Sequence, residues 1–305
     1  MIFRHEYLGG IWIDLEQPSP DEIRQIAEEF SINERMEREL LLPTPIPTVV
    51  AGDDMLLLVL HFPSQSEKEG ETKSQEVDFI VGKNFIITVR YEVVAPLHHL
   101  KKLIEAQQLV IGKVPVTTDV LLEVLFAHLY TAMRDHMNHV AGKLSRVEKE
   151  MFDGRERTTV GSISSISREF LHMEGVLANQ EEALKRFLDA VDRSGFFGHS
   201  FAERSLRILA ERTHAAGIVE THRAIATEMR ETNVALLGAR QNEIMKTLTI
   251  VNFIFLPLGL ISWTFAMRTE GMPLIESPNS FWIVLGLMLG VALLLTTFFI
   301  RRRWL

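Results

Sequence analysis

Asn242, Met245, Thr249, Asn252, Leu256, Gly259, Trp263 and Ala266 recur at steps of three or four residues in the last quarter of the chain. That spacing gathers side chains on one face of an α-helix. The face carries amides, a hydroxyl and small groups within a run otherwise rich in Ile, Leu and Phe. One helix cannot enclose a polar path, but this face repeated around a symmetry axis would line a pore. Helix packing is the alternative that spacing leaves open, because Asn and small residues also let apolar helices approach one another. Other reactive patterns are sparse. His136 and His139 are spaced like two ligands of a transition metal but have no third ligand beside them in sequence. His98-His99 and the scattered Met residues are weaker still. No Gly-rich phosphate loop, nucleophile motif or pair of catalytic carboxylates stands out, so an enzyme is not the expected class.

The elements that must position the stripe are membrane spans. Thr247 to Met267 holds no charged residue, nor does Phe281 to Ile300, and each run meets the roughly 20 residues needed to cross a hydrocarbon core. The link, Arg268 to Ser280, contains Gly271, Pro273 and Pro278 and suits a turn outside the bilayer. The second span lacks the polar stripe and reads as an outer, lipid-facing helix. Arg301, Arg302 and Arg303 follow it, whereas the link sets one Arg against Glu270 and Glu276. Basic residues stay on the cytoplasmic side, so both termini are expected in the cytosol.

Composition bounds the rest. The 305 residues are 47% hydrophobic, carry a net charge of −8 and include no Cys. Disulfides and thiolate metal sites are thereby excluded, and nucleic acid is disfavoured as a partner. Met1 to Gly10 contains Arg4, His5 and Glu6, which predicts no cleaved signal.

The first 114 residues read as a cytosolic α/β domain. Trp12 to Leu15 predicts a strand. Ser19-Pro20-Asp21-Glu22 then predicts a helix start, with Ser19 as N-cap, Pro20 first in the helix and Glu22 closing a capping box, and the helix runs to about Phe30. Met55 to Phe62 reads as a strand, Ser64 to Gln75 as a mobile hairpin loop, and Val77 to Val81 with Asn84 to Tyr91 as a hairpin. Between Pro115 and Pro257 there is no proline, and the text becomes helical. Asp153-Gly154 with the Ser/Thr cluster through Ser167 suggests a turn or frayed segment, and Ser194-Gly195 through Gly198 a second turn. Beyond Phe201 one helix is expected to continue from cytosol into membrane. The expected division is 1–114, then a helical region 115–246 that includes a stalk, then a transmembrane hairpin 247–305 with spans at 247–267 and 281–300.

The chain resembles the CorA-type divalent metal ion transporters over nearly its whole length. The residues carrying the resemblance are Asn242 to Ile250, Phe255-Leu256-Pro257-Leu258, Glu270-Gly271-Met272-Pro273 and Arg301 to Leu305, with weaker support from Trp12 to Leu15 and Gly82 to Val89. It implies a homopentameric funnel with an α+β cytosolic domain and a long stalk helix that lines the pore. It also implies Mg²⁺, Co²⁺, Ni²⁺ or Zn²⁺ as cargo and a bacterial or archaeal plasma membrane. No cofactor is implied beyond the transported or regulatory cation.

On that resemblance Asn242, Asn252 and the Thr249 hydroxyl would hydrogen-bond a hydrated cation, because Mg²⁺ sheds water reluctantly. Met245, Leu248 and Leu256 would supply apolar constrictions. Lys246 with Arg301, Arg302 and Arg303 would form a basic collar, which also serves as an orientation signal. The family's pore helix normally ends in Gly-Met-Asn, where this chain has Ala266-Met267-Arg268. Arg268 would put a ring of guanidinium groups at the outer mouth, unless Glu270 neutralises it. Trp263 would narrow the same mouth, or else anchor the helix at the headgroups.

Gating in the family depends on divalent ions between cytosolic domains. Asp53, Asp54, Asp78, Glu203, Glu211 and Glu220 are the acidic candidates, with no metal site assigned. Three classes follow: a divalent cation channel with altered selectivity, an anion pore, or a non-conducting membrane sensor.

Overall fold

The computed structural model describes residues 2–7, 9–63, 74–111, 116–267 and 279–302, without the side chains of 105–111. The chain divides into two compact units, Met1–Arg230 and Glu231–Leu305.

The first unit is built on six strands: β1 (Ile2–Tyr7), β2 (Gly10–Glu16), β3 (Thr48–Ala51), β4 (Met55–Pro63), β5 (Ser74–Gly82) and β6 (Phe85–Arg90). They form one sheet in the order β1-β2-β6-β5-β4-β3. Only β2 and β6 run parallel, with Asp14 opposite Thr88 and Glu16 opposite Arg90. The run Met55 to Leu60 is apolar without alternation because both faces of β4 are covered. On one face Leu57 and Val59 join Ile13, Ile80 and Ile87 against Ile23 and Ile26 of α1 (Pro20–Glu29) and Met36 of α2 (Glu34–Leu41). The α1 start is as predicted. Ser19 accepts from the Glu22 amide and the Glu22 carboxylate accepts from the Ser19 amide.

The other face meets helices. After α3 (Ala95–Ile111) come α4 (Thr118–Phe152) and α5 (Glu156–Ser194). Phe79 stacks on Phe126 with centroids 5.0 Å apart. The buried Tyr130 hydroxyl donates to Gln180, whose amide donates to the carbonyl of His61, so α4, α5 and β4 are tied by one chain of hydrogen bonds. Gly154 (φ 89°) and Gly195 (φ 68°) supply the turns at the ends of α4 and α5, a conformation that glycine adopts without strain.

The predicted turn or fray through Ser167 is corrected: α5 runs through it. Thr159, Ile163 and Ile166 fall at helical spacing and are buried. The Thr158 and Thr159 hydroxyls are absorbed by the carbonyls of Arg155 and Glu156. Burial of a periodic apolar face outweighs the weak helix preference of Ser and Thr. Of the loop expected over 64–75, Ser74 and Gln75 belong to β5 and the remainder lies outside the described residues.

The expected long helix is α6 (Phe201–Ala266), with 66 residues and hence a length of about 99 Å. Its N-terminal part is held by charge within the first unit. Arg204 and Arg207 bond Glu123 of α4, Arg204 also bonds Asp119, and Arg223 bonds Glu174 of α5. Buried Arg212 donates twice to the carbonyl of Leu177, at 3.1 and 2.7 Å. The second unit contains the rest of α6 and α7 (Ser280–Arg301).

Candidate functional site

α6 continues through Pro257, although proline has no amide hydrogen to give the carbonyl four residues back. Thr249 and Thr264 donate their hydroxyls to the carbonyls of Met245 and Leu260, at 2.7 and 2.8 Å. The Thr249 proton is therefore used inside the helix, while its oxygen keeps lone pairs that can accept from water.

Burial divides the membrane part of α6 into two sides. Ile250 is 5% exposed, and Ile254, Pro257, Ile261 and Phe265 follow it half-buried. At the edge of this side Phe253, itself 59% exposed, meets the buried Phe299 of α7 edge-on, with centroids 6.1 Å apart. The stripe lies on the other side. Asn242, Met245, Asn252, Leu256, Trp263 and Ala266 are exposed, and so are Leu248 and Met267, while Thr249 and Gly259 are half-buried. At about 100° per residue the stripe centres roughly opposite the row of Ile250, Ile254 and Ile261. The second helix thus leaves the amide-bearing face open.

The two threonine hydroxyls of α7 are satisfied internally. Thr296 and Thr297 donate to the carbonyls of Ala292 and Leu293 at 2.8 and 2.7 Å, which suits an apolar surround. Arg302 lies over the Phe298 ring at 5.7 Å. Because Phe253 and Phe299 meet, Arg301 and Arg302 follow that contact directly in α7, and Lys246 lies about two helical turns before it in α6. Arg268, Glu270 and Arg303 lie outside the described residues.

Among the described residues, no three His, Asp or Glu side chains gather to hold a metal ion. Asp53, Asp54, Glu203 and Glu220 are exposed, and Glu211 pairs with Arg134. His136 is taken by Glu169 of α5 at 3.0 Å. The imidazole's hydrogen bond holds the Glu169 carboxyl below the usual range.

Asp78 differs from the other acidic candidates. It is wholly buried on β5, and Glu76 is the next residue on the same face. Burial pushes the Asp78 carboxyl well above the usual range, and the negative charge of Glu76 raises it further. Burial raises Glu76 as well. His61 does not compensate them: its Nε2 is 2.7 Å from the Thr44 carbonyl and 3.7 Å from Glu76, and burial lowers its pKa.

A second buried charged group escaped sequence reasoning. Arg90 bonds Asp14 through Nε and Nη2, Glu16 through Nη2 and the Val94 carbonyl through Nη1. Thr88 links Asp14 to the Trp12 indole. Alternation puts Trp12, Asp14 and Glu16 on one face of their strand, but only the pairing of β2 with β6 brings Arg90 to them.

The sequence matches the family described as CorA-like Mg²⁺ transporter protein over residues 8–302. It is 22% identical over 302 residues to the cobalt/magnesium transport protein CorA of Methanocaldococcus jannaschii, covering 97% of this chain and 91% of that protein. It is also 22% identical over 291 residues to the cobalt/magnesium transport protein CorA of Thermotoga maritima, covering 93% and 80%. The fold is similar to the complete structure of the M. jannaschii CorA magnesium transporter, with a TM-score of 0.81 at 20% identity, covering 99% of this chain and 93% of that one. It is also similar to the full-length CmaX protein, with a TM-score of 0.67 at 19% identity, covering 97% and 89%.

Proposed function

The chain belongs to the CorA-like Mg²⁺ transporter family, and from that premise we propose that it is a homopentameric membrane channel for divalent metal cations whose outer mouth has altered selectivity. It is a transporter and not an enzyme. The observation that carries the reading is the division of α6, in which the face bearing Asn242, Asn252 and Thr249 is the one that α7 leaves open. A face with amides in a membrane-length helix needs either polar partners or water. Copies of α6 around an axis provide water.

In this pore, Asn242 and Asn252 present amide oxygens to the outward-pointing hydrogens of a cation's hydration shell, and the Thr249 oxygen adds an acceptor. Holding the shell rather than the ion suits Mg²⁺, which loses water slowly. Met245, Leu248 and Leu256 narrow the path with apolar surface that dewets. Lys246 and Arg301 to Arg303 form the cytosolic collar, with both termini on that side. At the other end Ala266-Met267-Arg268 replaces the Gly-Met-Asn of the resemblance. The Arg268 guanidinium, with Glu270 two residues away, changes the charge met by an entering ion.

Uptake of Mg²⁺, Zn²⁺ and Co²⁺ into dye-loaded liposomes containing the purified protein tests this reading. Saturable uptake of a divalent cation is the expected result. An intact pentamer that admits none of them would overturn it. Anion current would then support the second reading, which Arg268 favours because rings of Arg belong to anion pathways. Silence with a ligand-dependent change in the first unit would support a sensor.

A further inference from the structure

Trp263 shares the open face of α6 with Asn252, and its indole folds back along the helix onto Gly259. A Cβ placed on Gly259 would lie 3.8 Å from both Cζ2 and Cη2 of the ring. Side chains on a helix lean toward its N-terminus, so residue 263 covers the surface of residue 259. A single Cβ at 259 would meet the benzo edge at ordinary contact distance, so the ring covers Gly259 with room for no more than a methyl group beneath it. The ring is nevertheless 69% exposed and occupies the space in front of the stripe.

An exposed Trp near the end of a membrane helix ordinarily anchors it in the headgroups. Here that role conflicts with Asn252. Eleven helical residues complete about three turns with only about 20° left over, so Trp263 and Asn252 point the same way about 16 Å apart along the axis. Turning the indole toward lipid would turn the Asn252 amide toward hydrocarbon, deeper in the bilayer, where an unpaired amide is costly. Turning Asn252 toward water brings the indole to the water path too. α7 supplies its own aromatic pair near its start, Phe281 and Trp282, with rings 5.5 Å apart.

We infer that Trp263 is the specificity-determining constriction of the ion path, an aromatic collar between Asn252 and the outer mouth that limits which hydrated cations pass and how fast. The inference rests on the reading that copies of α6 enclose a pore. The indole contributes bulk together with a negative π face that favours cations over anions. Gly259 sets how far the collar reaches inward. A methyl group fits beneath the ring, whereas a side chain with atoms beyond Cβ would displace it toward the axis.

The test combines flux with fluorescence on the full-length protein in liposomes. Trp263→Ala is expected to raise Mg²⁺ uptake several-fold and to admit Ca²⁺ more readily relative to Mg²⁺. Trp263→Phe should fall between Ala and wild type, and Gly259→Leu should slow uptake. The emission lost on Trp263→Phe is expected to be quenched by aqueous Co²⁺ and spared by brominated lipids. Quenching of that component by brominated lipids would overturn the inference. So would unchanged uptake and selectivity in Trp263→Ala when the wild type conducts. If neither wild type nor Trp263→Ala takes up any divalent cation, the transport reading fails and the inference falls with it.

Discussion

Replacing Asp78 with Asn should stabilise the protein at neutral pH and flatten the pH dependence of its unfolding. The Tyr91 hydroxyl lies 2.6 Å from the Leu40 carbonyl and 3.0 Å from Asp78 Oδ2, yet it has one hydrogen to give. A protonated Asp78 resolves this, with the tyrosine donating to Leu40 and the carboxyl donating to the tyrosine. Unfolded, Asp78 would ionise at about 3.9. Folded, burial and the neighbouring Glu76 and Glu39 carboxylates keep its proton to well above that value. The folded state therefore binds more protons in this window. The stability this group contributes is complete below the unfolded pKa and is lost as pH rises through the folded one. One proton corresponds to about 1.4 kcal/mol per pH unit while the pH lies between the two values. Asn keeps the shape and can still donate to Tyr91, but it has no proton to lose. Urea unfolding of the detergent-solubilised full chain, followed by far-UV circular dichroism over a series of pH values above about 4, should show wild type losing stability relative to Asp78→Asn as pH rises, at no more than about 1.4 kcal/mol per pH unit. Parallel curves would refute the protonated carboxyl.

The remaining expectations concern separate sites. Arg90→Met leaves Asp14 buried without its bidentate partner and should cost about 3–5 kcal/mol. Combining it with Asp14→Asn should recover part of that loss in the same unfolding assay. Ser19→Ala removes one half of the capping box and should lower stability by about 0.5–2 kcal/mol, seen as a lower urea midpoint. Arg268→Asn should raise divalent cation uptake in liposomes, and unchanged uptake would place the guanidinium off the ion path.

Much of this protein was legible locally. Ser19, Pro20 and Glu22 announce the start of α1 because capping is a contact between near neighbours. The uncharged runs announce α6 and α7 because a membrane span is defined by its own length and composition. The stripe on α6 follows from helical periodicity alone. β1, α2 and β3 are less visible, since each is short and acquires its burial from partners distant in sequence. The Ser/Thr cluster in α5 misled for the same reason, as its local preference is overruled by the face that Ile163 and Ile166 bury.

By itself, therefore, the sequence determined where helices begin, which stretches are of membrane length, and which residues share one face of α6. Those properties depend on residues within a few turns of one another. The tertiary structure alone decided that Arg90 meets Asp14, that Asp78 and Glu76 are buried together beside Tyr91, and that Phe299 of α7 meets Phe253 while the Asn252 side of α6 stays exposed. Each of those joins segments far apart in the chain, and such a contact exists only after folding has removed water from between them.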